Sequence, residues 1–245
     1  PLFPSTQHSV LAAVGADDPV AKARAMDALL RAYHRPVYMH LRLRHREPEE
    51  RARDLVQEFF TRALASDSFA GFDPERGRFR NYLKTLVDRF AVKSRVAARR
   101  QKRGGGAQLL SLDLDPIEAD VRQLESQSTP DSFESVFDRE WLRSVITLTV
   151  NALEAHCRAT GREDRFRVFE RVALADEDER PSYADVASAL GIKPTDVTNY
   201  LHYARKKFRS LLEQTLRELT ASERELDEEL TYFLGPGARR SVPPG

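Results

Sequence analysis

A chain of 245 residues, 41% of them hydrophobic, can bury one sizeable core or two small ones. With 31% charged residues and no apolar run near the roughly 18 residues a membrane crossing needs, no membrane span is expected. Residues 1–10 lack the basic start and apolar stretch of a secretory signal, so a cytoplasmic protein is expected, and the single Cys157 excludes an internal disulfide or a multi-cysteine zinc site.

The net charge of +1 conceals a division along the chain. Residues 1–103 hold 21 Lys and Arg against 12 Asp and Glu, a balance of +9, which leaves −8 for the remainder. Between 104 and 138 stand eight acids (Asp113, Asp115, Glu118, Asp120, Glu125, Asp131, Glu134, Asp138) against Arg122, or −7. Charge blocked out in this way points to a surface for a polyanion, joined to a segment that avoids or imitates one.

Apolar residues recur at helical spacing almost throughout, and no alternating β-branched run is long enough for a strand, which predicts an all-α protein. The pattern divides into a helical domain over 1–103, a flexible acidic linker over 104–133, a second helical domain over 134–215 and an amphipathic acidic tail over 216–245. The linker assignment rests on the triplet Gly104-Gly105-Gly106, the acids that follow and the SQSTPDS stretch at 126–132.

In chain order, the first informative segment is Arg53 to Phe60. Helical spacing gathers Asp54, Gln57 and Glu58 on one side, while Val56, Phe60 and Ala63 form an apolar stripe. A solvated helix face explains such a patch as readily as a partner does. From Phe72 to Tyr82 a Pro/Gly turn leads into a helix in which Phe79 and Tyr82 alternate with Arg76, Arg78, Arg80 and Asn81. Aromatic faces can stack on unpaired bases while guanidiniums hold phosphates. Core packing accounts equally well for Phe79, and less well for Tyr82, whose hydroxyl suits a partly exposed place. Arg89 to Arg103 then carries Arg89, Lys93, Arg95, Arg99, Arg100, Lys102 and Arg103 with no acid, which suits phosphate contact and steep salt dependence.

A helical pattern through Phe137, Trp141, Val145, Leu148 and Leu153 opens the second domain. Within it, residues 182–212 follow the grammar of a helix-turn-helix. Ala187 permits a close crossing, Gly191 the left-handed turn and Pro194 a first helical turn, and Val197, Leu201, Ala204 and Phe208 make the buried stripe of the second helix. Its other side offers Thr195, Thr198, Asn199, His202, Tyr203, Arg205, Lys206 and Lys207 to base edges and phosphates.

Taken together, FPST at 3–6, DLVQEFF at 54–60, FDPERGRFRNYL at 72–83, KRGGG at 102–106, SLD at 111–113 and SYADVASALGI at 182–192 resemble the extracytoplasmic-function (ECF) group of the sigma-70 family, in a subgroup with a long inter-domain segment. The resemblance implies an initiation subunit of bacterial RNA polymerase with two helical domains, sigma regions 2 and 4. Asp54, Gln57 and Glu58 would meet the clamp helices of the polymerase β′ subunit. Arg76, Arg78, Phe79, Arg80, Asn81, Tyr82, Lys84, Arg89, Lys93, Arg95, Arg99 and Arg100 would read and melt the minus-ten element. Thr195, Thr198, Asn199, His202, Tyr203, Arg205 and Lys206 would read the minus-thirty-five element, with region 4 also meeting the β flap. An anti-sigma partner is a further expectation for this group. The sequence departs from the family's pattern at Tyr82, where many members have Trp, at Lys193, where Ser or Thr usually caps the helix, and at Asp196, which replaces a small residue.

Two other classes fit the sequence less well. A helix-turn-helix regulator acting without polymerase leaves 54–60 unexplained. A metal-dependent phosphoesterase needs converging ligands, whereas His8, His34, His40, His45, His156 and His202 show no ligand spacing, and adjacent His156 and Cys157 diverge on a helix. No enzyme activity, metal or cofactor is therefore expected.

Overall fold

The computed structural model describes residues 19–65, 69, 71–100, 114–127 and 135–235. Among these residues every regular element is helical: α1 (Pro19–Leu43), α2 (Glu49–Ala65), α3 (Phe79–Arg100), α4 (Asp115–Gln127), α5 (Val136–Ala159), α6 (Glu163–Ala173), α7 (Tyr183–Leu190), α8 (Pro194–Leu219) and α9 (Glu223–Leu234), with short 3-10 turns at Pro74–Arg76 and Glu177–Glu179. The all-α expectation holds. The chain divides into one unit of residues 1–144 with 216–245 and a second of residues 145–215.

This division differs from the one expected over 1–103, 104–133, 134–215 and 216–245. The presumed flexible linker contains α4, and the presumed tail contains α9; both belong to the first unit. The glycine triplet, KRGGG and SLD lie outside the described residues. Local chemistry accounts for α4: Pro116 occupies the first turn, where its missing N–H costs nothing, and Leu114, Ile117 and Val121 form a buried stripe.

In the first unit α1 packs against α2, α3 and α4, and α2 against α3. The buried seam of α3 runs through Phe79, Leu83, Val87 and Ala91, one residue per turn. Tyr33 of α1 stacks against Phe137 and Trp141 of α5 at centroid separations of 6.4 and 6.3 Å, and meets the edge of Phe79 at 5.9 Å. From α9, Leu226 and Leu230 are buried and Phe233 reaches Trp141 at 5.5 Å. The tail helix is thus part of this core.

Charges are drawn in with the apolar residues. Glu118 of α4 is buried and accepts hydrogen bonds from Arg42 Nη2 at 2.7 Å, Arg42 Nε at 3.0 Å and the Tyr38 hydroxyl at 2.5 Å. Burial alone would raise the Glu118 carboxyl, but the bonds from Arg42 and Tyr38 outweigh it and hold the group below the usual carboxylate range. Arg35 pairs with Asp120 at 2.5 Å and with Glu140. At the edge, Arg53 meets the exposed Asp115 at 2.6 Å, a pair worth little.

In the second unit Leu153, Cys157, Val168, Phe169, Val172, Val186, Ala187, Val197, Leu201 and Ala204 form one cluster, with Phe208 stacked on Phe169 at 5.4 Å. Burial pushes the Cys157 thiol up, so it stays protonated and acts as a packing atom.

Removing Arg42 strands a buried carboxylate, so Arg42→Ala is expected to destabilise the first unit by about 2 kcal/mol in denaturant unfolding, against near zero for Asp115→Ala. Because the Glu118 carboxyl is depressed, its contribution is present above the unfolded-state pKa and is lost as pH falls through the lower folded-state value. Glu118→Gln should flatten that acid limb.

Candidate nucleic-acid interface

The helix-turn-helix is held by three local devices. Ser182 Oγ accepts from the Asp185 N–H at 3.2 Å while the Asp185 carboxylate accepts from the Ser182 N–H at 3.3 Å, a reciprocal cap on α7. Gly191 ends α7 in the left-handed region (φ 65°, ψ 31°), and the Ile192 N–H returns to the Ala187 carbonyl at 3.0 Å. Pro194 then opens α8, and the Asp196 carboxylate turns back to accept from the Lys193 N–H at 3.2 Å. Asp196 thereby supplies a cap from inside the helix where Lys193 has none to give.

On α8, Thr195, Thr198, Asn199, His202, Arg205 and Lys206 are all exposed. Tyr203 is half-buried and braced: its hydroxyl accepts from Arg162 Nη1 at 2.8 Å and lies 3.1 Å from His156 Nε2, and Arg165 sits 4.6 Å from its ring centroid. His156 is held below its ordinary value by desolvation, with Lys207 and Arg162 adding to it. Arg162 and Arg165, which the sequence reading passed over, add two cations beside the exposed face. Their signal was the spacing of R-x-x-R before an apolar run.

The basic helix α3 divides into two parts. Arg76 of the preceding 3-10 turn is exposed, as are Asn81, Arg89 and Lys93 on the helix, Lys84 and Tyr82 are half-buried, and Val92 and Val96 add exposed apolar surface between the cations. Tyr82 leans on Phe72 at 5.4 Å, and its hydroxyl lies 3.1 Å from where a Cβ on Gly71 would stand. Arg95 is drawn to the α1–α2 turn, donating to Glu47 at 2.6 Å and to the His45 carbonyl at 2.8 Å. Arg99 and Arg100 continue the helix, but their side chains lie outside the described residues.

Three expected DNA contacts are placed otherwise. Phe79 is fully buried against Tyr33, Phe69 and Phe72. Arg80 is 5% exposed, its guanidinium lying over Trp141 and Tyr232 and bonded to Glu229 at 2.9 Å and Asp138 at 2.7 Å. Arg78 donates to Glu228 at 3.0 Å. In this arrangement Phe79 and Arg80 are core groups: where nucleic acid would offer a base face and a phosphate, the chain itself offers aromatic rings and carboxylates.

On α2, Asp54 is exposed, Gln57 is half-buried, and Glu58 is half-buried and paired with Arg62 at 2.5 Å. The stripe beneath them, Leu55, Val56, Phe59, Phe60 and Ala63, is buried. Sequence spacing overlooked one cluster: Nε2 of His40 and of His45 each lie 2.7 Å from the same Asp88 oxygen. The chain turns after α1, with Arg46 at φ 54°, and this brings His45 back beside His40. These three groups are close enough to hold a metal ion. Buried His40 Nδ1 has no acceptor to orient a metal-bound imidazole, so the cluster is better described as a hydrogen-bonded latch between α1 and α3.

Such a molecule is a helical protein with a capped helix-turn-helix in one unit and a basic helix in the other. The model of the ECF sigma factor family matches residues 8–214, and the chain belongs to that family. It is therefore a sigma factor for transcription initiation, in a family that is not one of enzymes. No curated protein and no solved structure matches it. No helix among the described residues is long and apolar enough to cross a membrane.

Gly191→Ala forces a Cβ into the left-handed region and is expected to cost about 1 kcal/mol of second-unit stability. Asp196→Ala should cost a similar amount, about 1 kcal/mol, through the lost cap. Both are read by thermal melting of the intact chain, the second unit being followed by near-ultraviolet dichroism.

Proposed function

We propose that this sigma factor docks on core RNA polymerase through α2, reads the minus-ten element with the exposed side of α3, and reads the minus-thirty-five element with α8. The observation that carries the reading is the exposed row Thr195, Thr198, Asn199 and His202 on a helix capped at its start, in a chain matched by the family over 207 residues, 8 to 214. Residues at i, i+3, i+4 and i+7 share one face and can enter a major groove together. Arg205 and Lys206, a turn further on, suit phosphates, as do Arg162 and Arg165 around Tyr203. A base edge read in this way discriminates by about 1–3 kcal/mol, whereas phosphate contacts set affinity and its salt dependence.

In the first unit the minus-ten face is assigned to Arg76, Asn81, Tyr82, Lys84, Arg89 and Lys93, with Arg99 and Arg100 continuing the basic run. Tyr82 keeps an aromatic face that can receive an unpaired base, worth about 1–3 kcal/mol. Asp54, Gln57 and Glu58 are assigned to the β′ clamp helices and the helix-turn-helix unit to the β flap. Nucleotide addition, with its magnesium, belongs to the core polymerase; this chain supplies recognition and strand opening.

Run-off transcription with purified core polymerase on genomic fragments tests the reading, with initiation at defined positions as the expected result. Tight, sequence-specific binding of duplex DNA by the free chain, with no association with core, would instead identify a regulator acting alone. Asp54→Ala and Glu58→Lys are expected to weaken core binding while melting is unchanged, and normal affinity in both would remove α2 from the interface. Tyr82→Ala should slow promoter opening more than docking, seen as reduced permanganate reactivity in the bubble.

A further inference from the structure

The first turn of α3 carries no acid of its own, so its positive dipole end has no counter-charge from within the helix. The counter-charge arrives from 146 residues away: Glu225 of α9 accepts from the Phe79 N–H at 2.5 Å and, with its other oxygen, from the Ala221 N–H at 2.9 Å. Around it, Glu229 holds Arg80, Glu228 holds Arg78, and Arg224 donates to the carbonyls of Pro74 at 2.8 Å and Glu75 at 3.3 Å. Five acids on α9 (Glu223, Glu225, Asp227, Glu228, Glu229) stand against one Arg224. A carboxylate at a helix N-terminus, flanked by carboxylates on two arginines, is the arrangement a phosphate backbone makes with the same groups.

We propose that α9 is a built-in mimic of nucleic acid that closes the Arg78–Arg80 end of the α3 face, and that strand opening requires it to leave. The inference rests on the assignment of α3 to the minus-ten element. The fit suits a removable piece. Glu225 and Glu229 are raised by burial, and Glu229 leaves one buried oxygen without a hydrogen-bond partner, so the seat of α9 is imperfectly satisfied. Release would return Arg78 to a surface already carrying Arg76, Asn81 and Tyr82, would leave Asp138 as the one remaining carboxylate on Arg80, and would uncover Trp141.

The test uses the full chain in two forms. In the first, E225Q/E228Q/E229Q, each amide keeps one acceptor oxygen, which at position 225 can still receive the Phe79 N–H, and the charge is removed. Binding of a fluorescein-labelled single-stranded oligonucleotide should tighten about tenfold at low salt, while the melting temperature of the still-folded chain falls because Arg80 keeps only the Asp138 carboxylate. In the second, Glu75→Cys and Arg224→Cys are bridged by a reducible bis-maleimide; the buried Cys157 leaves these two as the reactive thiols. The bridged form should bind core polymerase normally, open promoters at least about tenfold more slowly, and recover when the bridge is reduced. Opening at an unchanged rate by the bridged form would make α9 a permanent part of the unit and overturn the proposal, even if the amide variant failed to fold. So would a folded amide variant that bound the oligonucleotide no more tightly. If neither form associated with core polymerase, the reading of the function would fall first, and the inference with it.

Discussion

Arg35, Arg42 and Arg80 lie where α1 and α3 meet the rest of the first unit, with little water within reach, and a guanidinium so placed needs a carboxylate beside it or the helix cannot pack. The carboxylates come from elsewhere in the chain: Glu118 and Asp120 from α4, Asp138 and Glu140 from α5, Glu229 from α9. Part of the +9 of residues 1–103 is thus met by the acids that follow. The strength of this interaction is limited, because desolvating both partners offsets most of their attraction. Its specificity is high, because any other packing strands a charge.

That interaction explains which parts of the molecule could be read in advance. The helix-turn-helix was legible because its determinants are local: the Ser182–Asp185 box, the left-handed Gly191 and the Pro194 start all lie within a few residues of the atoms they satisfy. The placement of α4 and α9 was not, since Glu118 meets Arg42 across 76 residues and Glu228 meets Arg78 across 150. Glycines, acids and serines around 104–132 have the composition of a linker, and the short apolar spacing of Leu114, Ile117 and Val121 inside it was too brief to outweigh them. Spacing also hid the latch of His40, His45 and Asp88, since a separation of five places two residues together only once the helix between them has ended.

Arg80 and Phe79 show a different limit. Aromatic residues interleaved with arginines satisfy the same chemistry whether the opposing face is a base with its phosphate or Trp141 and Tyr232 with Glu229. Residue types specify the kind of partner, a π face and an anion, and tertiary structure decides which molecule supplies it. Here the π faces and the anions around Arg80 are supplied by α5 and α9 of the same chain.

The second unit separates support from recognition in a way that constrains α8. Asp196 spends its carboxylate on the Lys193 N–H, so its charge is turned toward the backbone at the start of the helix, where the dipole welcomes it. Tyr203 is committed to Arg162, His156 and Arg165, and Val197, Leu201 and Ala204 to the core. What is left facing outward is the short row from Thr195 to His202, two polar side chains per turn, followed by Arg205 and Lys206. Because Tyr203 is tied to Arg162 and His156, rotating α8 about its axis would break those hydrogen bonds, and the row's orientation is thereby fixed. On the proposed reading, such a face needs little ordering on binding, and its discrimination would depend on the match between side chain and base edge.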